Sequence, residues 1–201
     1  PDGVVNIVTG AGDTGRFLAE HKLVNKVAFT GSTEVGKLLM RETAGTGKKL
    51  TLELGGKSAN IIFADAAIDQ AVEGIISGIY FNQGHVCCAG SRLFVEESIL
   101  EEVIHKLTQR LGSLRIGDPL DKNTDLGAIN SQSQLETVER YITSGIKEGA
   151  QLHKANEQRL PSKGYWCNPC FFTDVQPSHT IAREEIFGPV LSVMTFRTPE
   201  E

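Results

Sequence analysis

The feature that most constrains the fold of this chain is a unit written twice near its beginning: an apolar run, a glycine-bearing turn, then a helix-like stretch. Val4-Val5-Asn6-Ile7-Val8 reads as a strand, Gly10-Ala11-Gly12-Asp13-Thr14-Gly15 as a turn, and residues 16–21 as a helix. The second copy runs from Val27-Ala28-Phe29 through Thr30-Gly31-Ser32 into a helix reaching Ala44. Strand, tight turn and helix in alternation predict an α/β fold with a parallel sheet. A further strand pattern, Leu50-Thr51-Leu52-Glu53-Leu54, ends in Gly55-Gly56, which we read as a domain boundary. The expectation is a first domain over 1–55, part of a Rossmann-type parallel sheet, and a second α/β domain over 56–201.

In the second domain, strands are expected at 58–63, 93–95, 151–153 and 190–196, and helices at 68–81, 98–111 and 131–148. Ser98 and Ser131 stand where N-caps belong, and Gly149 suits the left-handed residue that ends a helix. Residues 118–127 read as a polar loop. A net charge of −5 without any Lys/Arg cluster argues against nucleic acid. No apolar run is long enough to span a membrane. Four cysteines are too few for a disulfide scaffold and point to a reducing compartment, hence a soluble intracellular protein.

Chemistry concentrates in Phe81-Asn82-Gln83-Gly84-His85-Val86-Cys87-Cys88-Ala89-Gly90-Ser91-Arg92. A helix emptying into a glycine-bounded loop with a thiol, followed by a strand, is a sound mount for a nucleophile, with Gly84 and Gly90 permitting the turns. A buried cysteine pair is the alternative. Glu53, in an otherwise apolar strand, is expected to be desolvated, which disfavours its charged form as a general base near neutrality requires. Two turns compete for a dinucleotide pyrophosphate: the literal G-x-G-x-x-G at Gly10 to Gly15, and the helix start capped by Ser32. Cys167-Asn168-Pro169-Cys170 could hold zinc or form a redox dithiol, but zinc needs two more ligands, and the flanking aromatics read as one buried strand from Gly164 to Phe172.

Four stretches in order resemble the aldehyde dehydrogenase superfamily: Phe29-Thr30-Gly31-Ser32-Thr33-Glu34-Val35-Gly36, Leu52-Glu53-Leu54-Gly55-Gly56-Lys57, the segment from Phe81 to Cys87, and Glu184-Glu185-Ile186-Phe187-Gly188-Pro189. The resemblance implies NAD, or NADP, as cofactor, a small-molecule aldehyde as substrate and no metal. It makes Cys87 the nucleophile that forms a thioester and Glu53 the base that activates the deacylating water. Gly31 and Ser32 would take the pyrophosphate, with Gly12 near the adenine and the backbone of Leu54 beside the nicotinamide. Gln134 and Glu185 would contact the nicotinamide-side ribose, and Phe187 would pack beside the ring. Two positions depart from the pattern: His85, where glutamine is common, and Thr137, where lysine is frequent.

The family's second oxyanion donor is an asparagine upstream of Pro1. We therefore expect the chain to be a fragment, truncated at its C-terminal side too, that alone oxidises aldehydes poorly or not at all. The complete protein is expected to be a homo-oligomer in the cytoplasm, with a mitochondrial address left open. A non-catalytic scaffold or interaction domain is the alternative; the presence of both Cys87 and Glu53 speaks against it.

Overall fold

Backbone pairing draws the chain into two sheets, one in each of two units, Pro1–Gly55 and Gly56–Glu201. The computed structural model describes residues 1–154 and 160–201. It is an α/β fold, as the alternation of patterns predicts.

In the first unit, α1 (Gly12–Glu20) and β1 (Lys26–Thr30) precede α2 (Thr33–Thr43) and β2 (Lys49–Glu53). β1 and β2 pair in parallel from Lys26 opposite Lys49 to Thr30 opposite Glu53. α2 begins where the sequence says: the Val35 N–H donates to the Ser32 Oγ at 3.2 Å. Gly36 on α2 lets the Leu54 side chain approach, since a Cβ there would sit 2.6 Å from a Leu54 methyl. Residues 4–8 are not a strand. Val4, Val5, Ile7 and Val8 are exposed, and a strand exists only where a neighbour pairs its N–H and C=O groups, which β-propensity alone cannot supply. The following helix starts at Gly12 rather than residue 16, so Gly12 and Gly15 are helical and not part of a loop.

The second unit is built on a five-stranded sheet of order β3-β4-β7-β6-β5: β3 (Ala59–Ile62), β4 (Arg92–Glu96), β7 (Val190–Phe196), β6 (Cys170–Thr173) and β5 (Gln151–Lys154). All pairs are parallel except β5 with β6. Helices cover both faces. α3 (Ile68–Tyr80) and α4 (Leu100–Gly112) bury Ile75, Ile79, Val103 and Leu107 against Leu93, Leu191 and Val193. On the other face, α5 (Gln132–Lys147) and the short α6 (Thr180–Arg183) supply Val138 and Ile181 against Phe172, Val190 and Met194. Successive β7 residues therefore alternate between two cores, which is why this strand reads as a continuous apolar run. Each fully buried Leu or Ile contributes about 2 kcal/mol.

Helix ends explain most boundaries. Ser131 caps α5 by accepting from the Gln134 N–H at 3.2 Å. At its other end Gly149 has φ +95, and the Ala150 N–H reaches back to the Gly145 carbonyl at 3.0 Å. Ser98 does not cap α4; its Oγ donates to Glu96 at 3.2 Å within a short 3-10 turn, and the helix starts two residues later. The expected strand across Gly164 to Phe172 shrinks to its end, β6. Gly164 has φ +105, and the Trp166 Nε1 donates back to the Lys163 carbonyl at 2.6 Å, closing a local turn that strand geometry cannot contain.

Candidate active site

α3 leads straight into the thiol-bearing stretch. Its apolar face, Val72, Ile75, Ile76 and Ile79, is buried against the sheet up to Tyr80. The chain then turns through Asn82 (φ 49), Gln83 (φ 57) and Gly84 (φ 74). Left-handed φ at two residues with a Cβ costs on the order of 1–3 kcal/mol each, and side chains hold the shape against it. Gln83 Oε1 accepts from the Gly127 N–H at 2.9 Å, its Nε2 donates to the Ala128 carbonyl at 3.2 Å, and Asn82 Nδ2 donates to the His85 carbonyl at 3.2 Å. Gly84 cannot be replaced without collision, because a Cβ there would strike the Gly188 carbonyl.

The Ala89 N–H donates to the Val86 carbonyl at 3.0 Å, so Cys87 and Cys88 occupy the two central positions of a tight turn. Both thiols are exposed. The buried-pair alternative is thereby overturned. Among the described residues nothing accepts from the Cys87 backbone N–H. Gly90 serves a different purpose from the one its turn position suggests. Its φ is not left-handed; it is glycine because a Cβ would run into the Asn60 side chain, which donates to the Gly90 carbonyl at 3.2 Å.

Against this turn lies the segment between α6 and β7. Glu184 accepts from the Tyr141 hydroxyl at 2.8 Å, Glu185 is half-buried, Ile186 is buried, and Phe187 has φ 55. Gln134 Nε2 donates to the carbonyls of Ile186 and Phe187, each at 3.0 Å. That amide group is thus engaged with backbone: it shapes the Phe187 turn. Thr137 donates to its own helix at Ser133. A small cleft separates the two segments, lined by Val86, Ala89, Ser91, Glu185, Phe187 and Gly188. The structure therefore brings Val86 and Ala89, which flank the two thiols in the turn, together with Glu185 and Phe187 about a hundred positions later, and ties Gln134 to the Phe187 turn.

The sequence reading missed Lys57. Its Nζ is buried and, among the described residues, unpaired. Burial first, and the Arg92 guanidinium second, push its pKa down to about 8, with Glu185 acting in opposition. Arg92 also donates to the Lys57 carbonyl. A lysine directly after Gly-Gly and before the apolar Ala59-Asn60-Ile61-Ile62 strand was the signal available.

In the first unit, Gly31 and Ser32 precede α2. Ser32 Oγ is engaged as the cap acceptor, leaving its O–H to donate. Gly31 lacks room for a Cβ beside the Phe29 ring, and its N–H donates to the Glu53 carbonyl at 3.0 Å. Gly12 is exposed at the first turn of α1. Glu53 ends β2 and is exposed, so the desolvation expected of it is absent: alternation along β2 turns Leu50 and Leu52 to the covered side and Glu53 to the other. Leu54 is half-buried.

The second cysteine pair behaves otherwise. Cys170 is buried, and burial pushes its thiol well above the ordinary range; burial, with Glu139 second, raises Cys167 to about 11. Thiolates are what a metal or a redox dithiol needs, and this environment disfavours them. Among the described residues no cluster of three metal-ligating side chains forms, and no helix is long and apolar enough to cross a membrane.

Comparison with known proteins yields consistent matches. The profile of the Aldehyde dehydrogenase family matches residues 1–201. Retinal dehydrogenase 2 of Mus musculus is 48% identical over 204 residues, covering 100% of this chain and 39% of that protein. Two solved structures superpose along the whole chain. The NAD-dependent aldehyde dehydrogenase from Sinorhizobium meliloti has a TM-score of 0.96 and 46% identity, covering 100% of this chain and 40% of its own. The NAD+ complex of aldehyde dehydrogenase from Bacillus cereus has a TM-score of 0.95 and 45% identity, covering 100% and 41%. The chain spans about two fifths of the length of the relatives it matches.

Proposed function

Because the chain belongs to the aldehyde dehydrogenase family, we propose that the whole protein oxidises an aldehyde to a carboxylic acid through a thioester on Cys87, with NAD, or NADP, as acceptor. On this reading Pro1–Gly55 is part of the cofactor domain and Gly56–Glu201 carries the thiol chemistry. The observation that supports it most is the turn itself: an exposed thiol at its tip, its own backbone N–H free of partners among the described residues, flanked by Val86 and Ala89, which line a cleft together with Glu185 and Phe187. NAD is favoured over NADP by the relatives, one described as NAD-dependent and one solved with NAD+.

Each unit carries residues suited to one part of a dinucleotide. α2 offers exposed Thr33 and Glu34 N–H groups at its start, which together with the positive helix end and the Ser32 hydroxyl suit a pyrophosphate. The Glu34 carboxylate in that turn works against an anion, so backbone donors carry the fit. Phe187 offers a partly exposed ring, and Glu185 can accept from ribose hydroxyls. When bound, the nicotinamide supplies the acceptor for one hydride.

The Cys87 thiolate adds to the aldehyde carbon, forming a C–S bond and an alkoxide that the Cys87 N–H stabilises. Collapse of this adduct releases the carbon-bound hydrogen as hydride and leaves the thioester. Glu53 then takes a proton from water, whose oxygen attacks the thioester carbon; the C–S bond breaks, the acid departs and the thiol is restored. An exposed Glu53 meets water directly.

The test follows NADH formation in the whole protein with short and long aldehydes. Cys87→Ala should lose at least about a thousandfold in turnover, whereas Glu53→Gln should give one burst of NADH and little thereafter. Full-rate turnover by Cys87→Ala would end the nucleophile assignment. An inactive wild type whose Cys87 alkylates only slowly would favour a scaffold instead.

A further inference from the structure

His85 departs from the glutamine that the resemblance leads one to expect, and the fold gives its ring a specific partner. The imidazole lies flat on the Phe187 ring, with centroids 5.5 Å apart and planes 6° from parallel. Both residues are held from behind. The His85 N–H donates to the Asn82 carbonyl at 2.9 Å and the His85 carbonyl accepts from Asn82 Nδ2 at 3.2 Å, so the residue is pinned at both backbone ends. Phe187 sits in a left-handed conformation kept by the two hydrogen bonds from Gln134. Directly beneath, Gly84 and Gly188 approach too closely for a Cβ at Gly84. His85 Nε2 is buried and unpaired among the described residues, and burial lowers its pKa from the ordinary value. Among the described residues no hydrogen bond engages the ring. What it contributes is a flat face.

We propose that His85 is a positioning residue: by stacking on Phe187 it sets where that ring stands at the nicotinamide side of the cleft, and locks it to the turn bearing Cys87 two residues on. This rests on the dehydrogenase reading. An offset aromatic pair contributes roughly 0.5–1.5 kcal/mol beyond area burial. Loss of the stack should therefore weaken NAD binding by about three- to tenfold. It should spare the chemical step, because Cys87 keeps its own turn.

The experiment uses the whole protein and three forms: wild type, His85→Ala and His85→Phe. NAD affinity is read by calorimetry without aldehyde, KM for NAD and kcat are read separately in turnover, and melting temperature reports folding. The proposal expects His85→Ala to weaken NAD affinity and raise its KM by that factor while kcat stays within about twofold. His85→Phe, which restores a flat ring and removes the buried unpaired nitrogen, should return both values to wild type. Wild-type NAD affinity in His85→Ala overturns the proposal. So does a folded His85→Phe that remains as weak as His85→Ala. A wild type that neither binds NAD nor oxidises any aldehyde overturns the dehydrogenase reading and this inference with it, an outcome distinct from the other two.

Discussion

Cys87-Cys88 and Cys167-Cys170 occupy one unit of this protein and receive opposite treatment. The first pair stands exposed at the tip of a tight turn between a helix and a strand. The second leads into β6 and the core under α5 and α6, where Cys170 is fully covered and Cys167 partly so. Thiol reactivity follows from this difference. A thiol reacts as its thiolate, and burial withholds the water that would stabilise that charge. The C-x-x-C spacing, which alone suggests metal or redox chemistry, therefore marks the quieter pair; the adjacent cysteines, with no such spacing, sit where chemistry can reach them.

The sharpest way to break the comparison is alkylation under native conditions, read by mass spectrometry. At about pH 8 a thiol whose pKa is about 11 is thiolate in roughly one molecule per thousand, about a hundredfold below free cysteine. Cys167 and Cys170 should thus react at least about a hundredfold more slowly than the exposed pair, and all four should converge in denaturant. Equal native rates would refute the contrast. A second test attacks the mount of the exposed pair. Gly84→Ala must place a Cβ against the Gly188 carbonyl at a backbone φ of 74, and should cost about 2–4 kcal/mol in denaturant unfolding. A loss below about 0.5 kcal/mol would show that the two segments separate freely.

The smallest expected effect concerns the wall around the buried pair. The Tyr80 hydroxyl, itself buried, donates to the Cys170 carbonyl at 2.9 Å. Tyr80→Phe leaves that acceptor without its donor and should lower stability by about 1–2 kcal/mol. Native alkylation of Cys170 should stay slow, since burial and not this bond protects it. Fast labelling of Cys170 in that variant would move the protection from burial to the hydrogen bond.

Much of this molecule was written locally, and the reason is the short range of the forces concerned. Ser32 and Ser131 cap helices through N–H groups three residues on, and Gly149 ends α5 through the conformation of a single residue. The two-core alternation of β7 follows from its run of apolar residues, and the helix–loop–strand order around Cys87 from periodicity and glycine. Tertiary structure decided whatever depends on partners distant along the chain. Residues 4–8 have strand-forming side chains and no strand, because pairing needs a neighbour. Glu53 is exposed because the pleat turns it away from the side its leucines cover. Gln134 reaches the carbonyls of Ile186 and Phe187 because α5 packs beside that turn, and Lys57 is buried beside the charge of Arg92, which stands 35 positions later in the chain. His85 showed in the sequence only as a departure. Its flat contact with Phe187, a hundred residues later, depends on a fold in which Gly84 lets its backbone meet the Gly188 carbonyl.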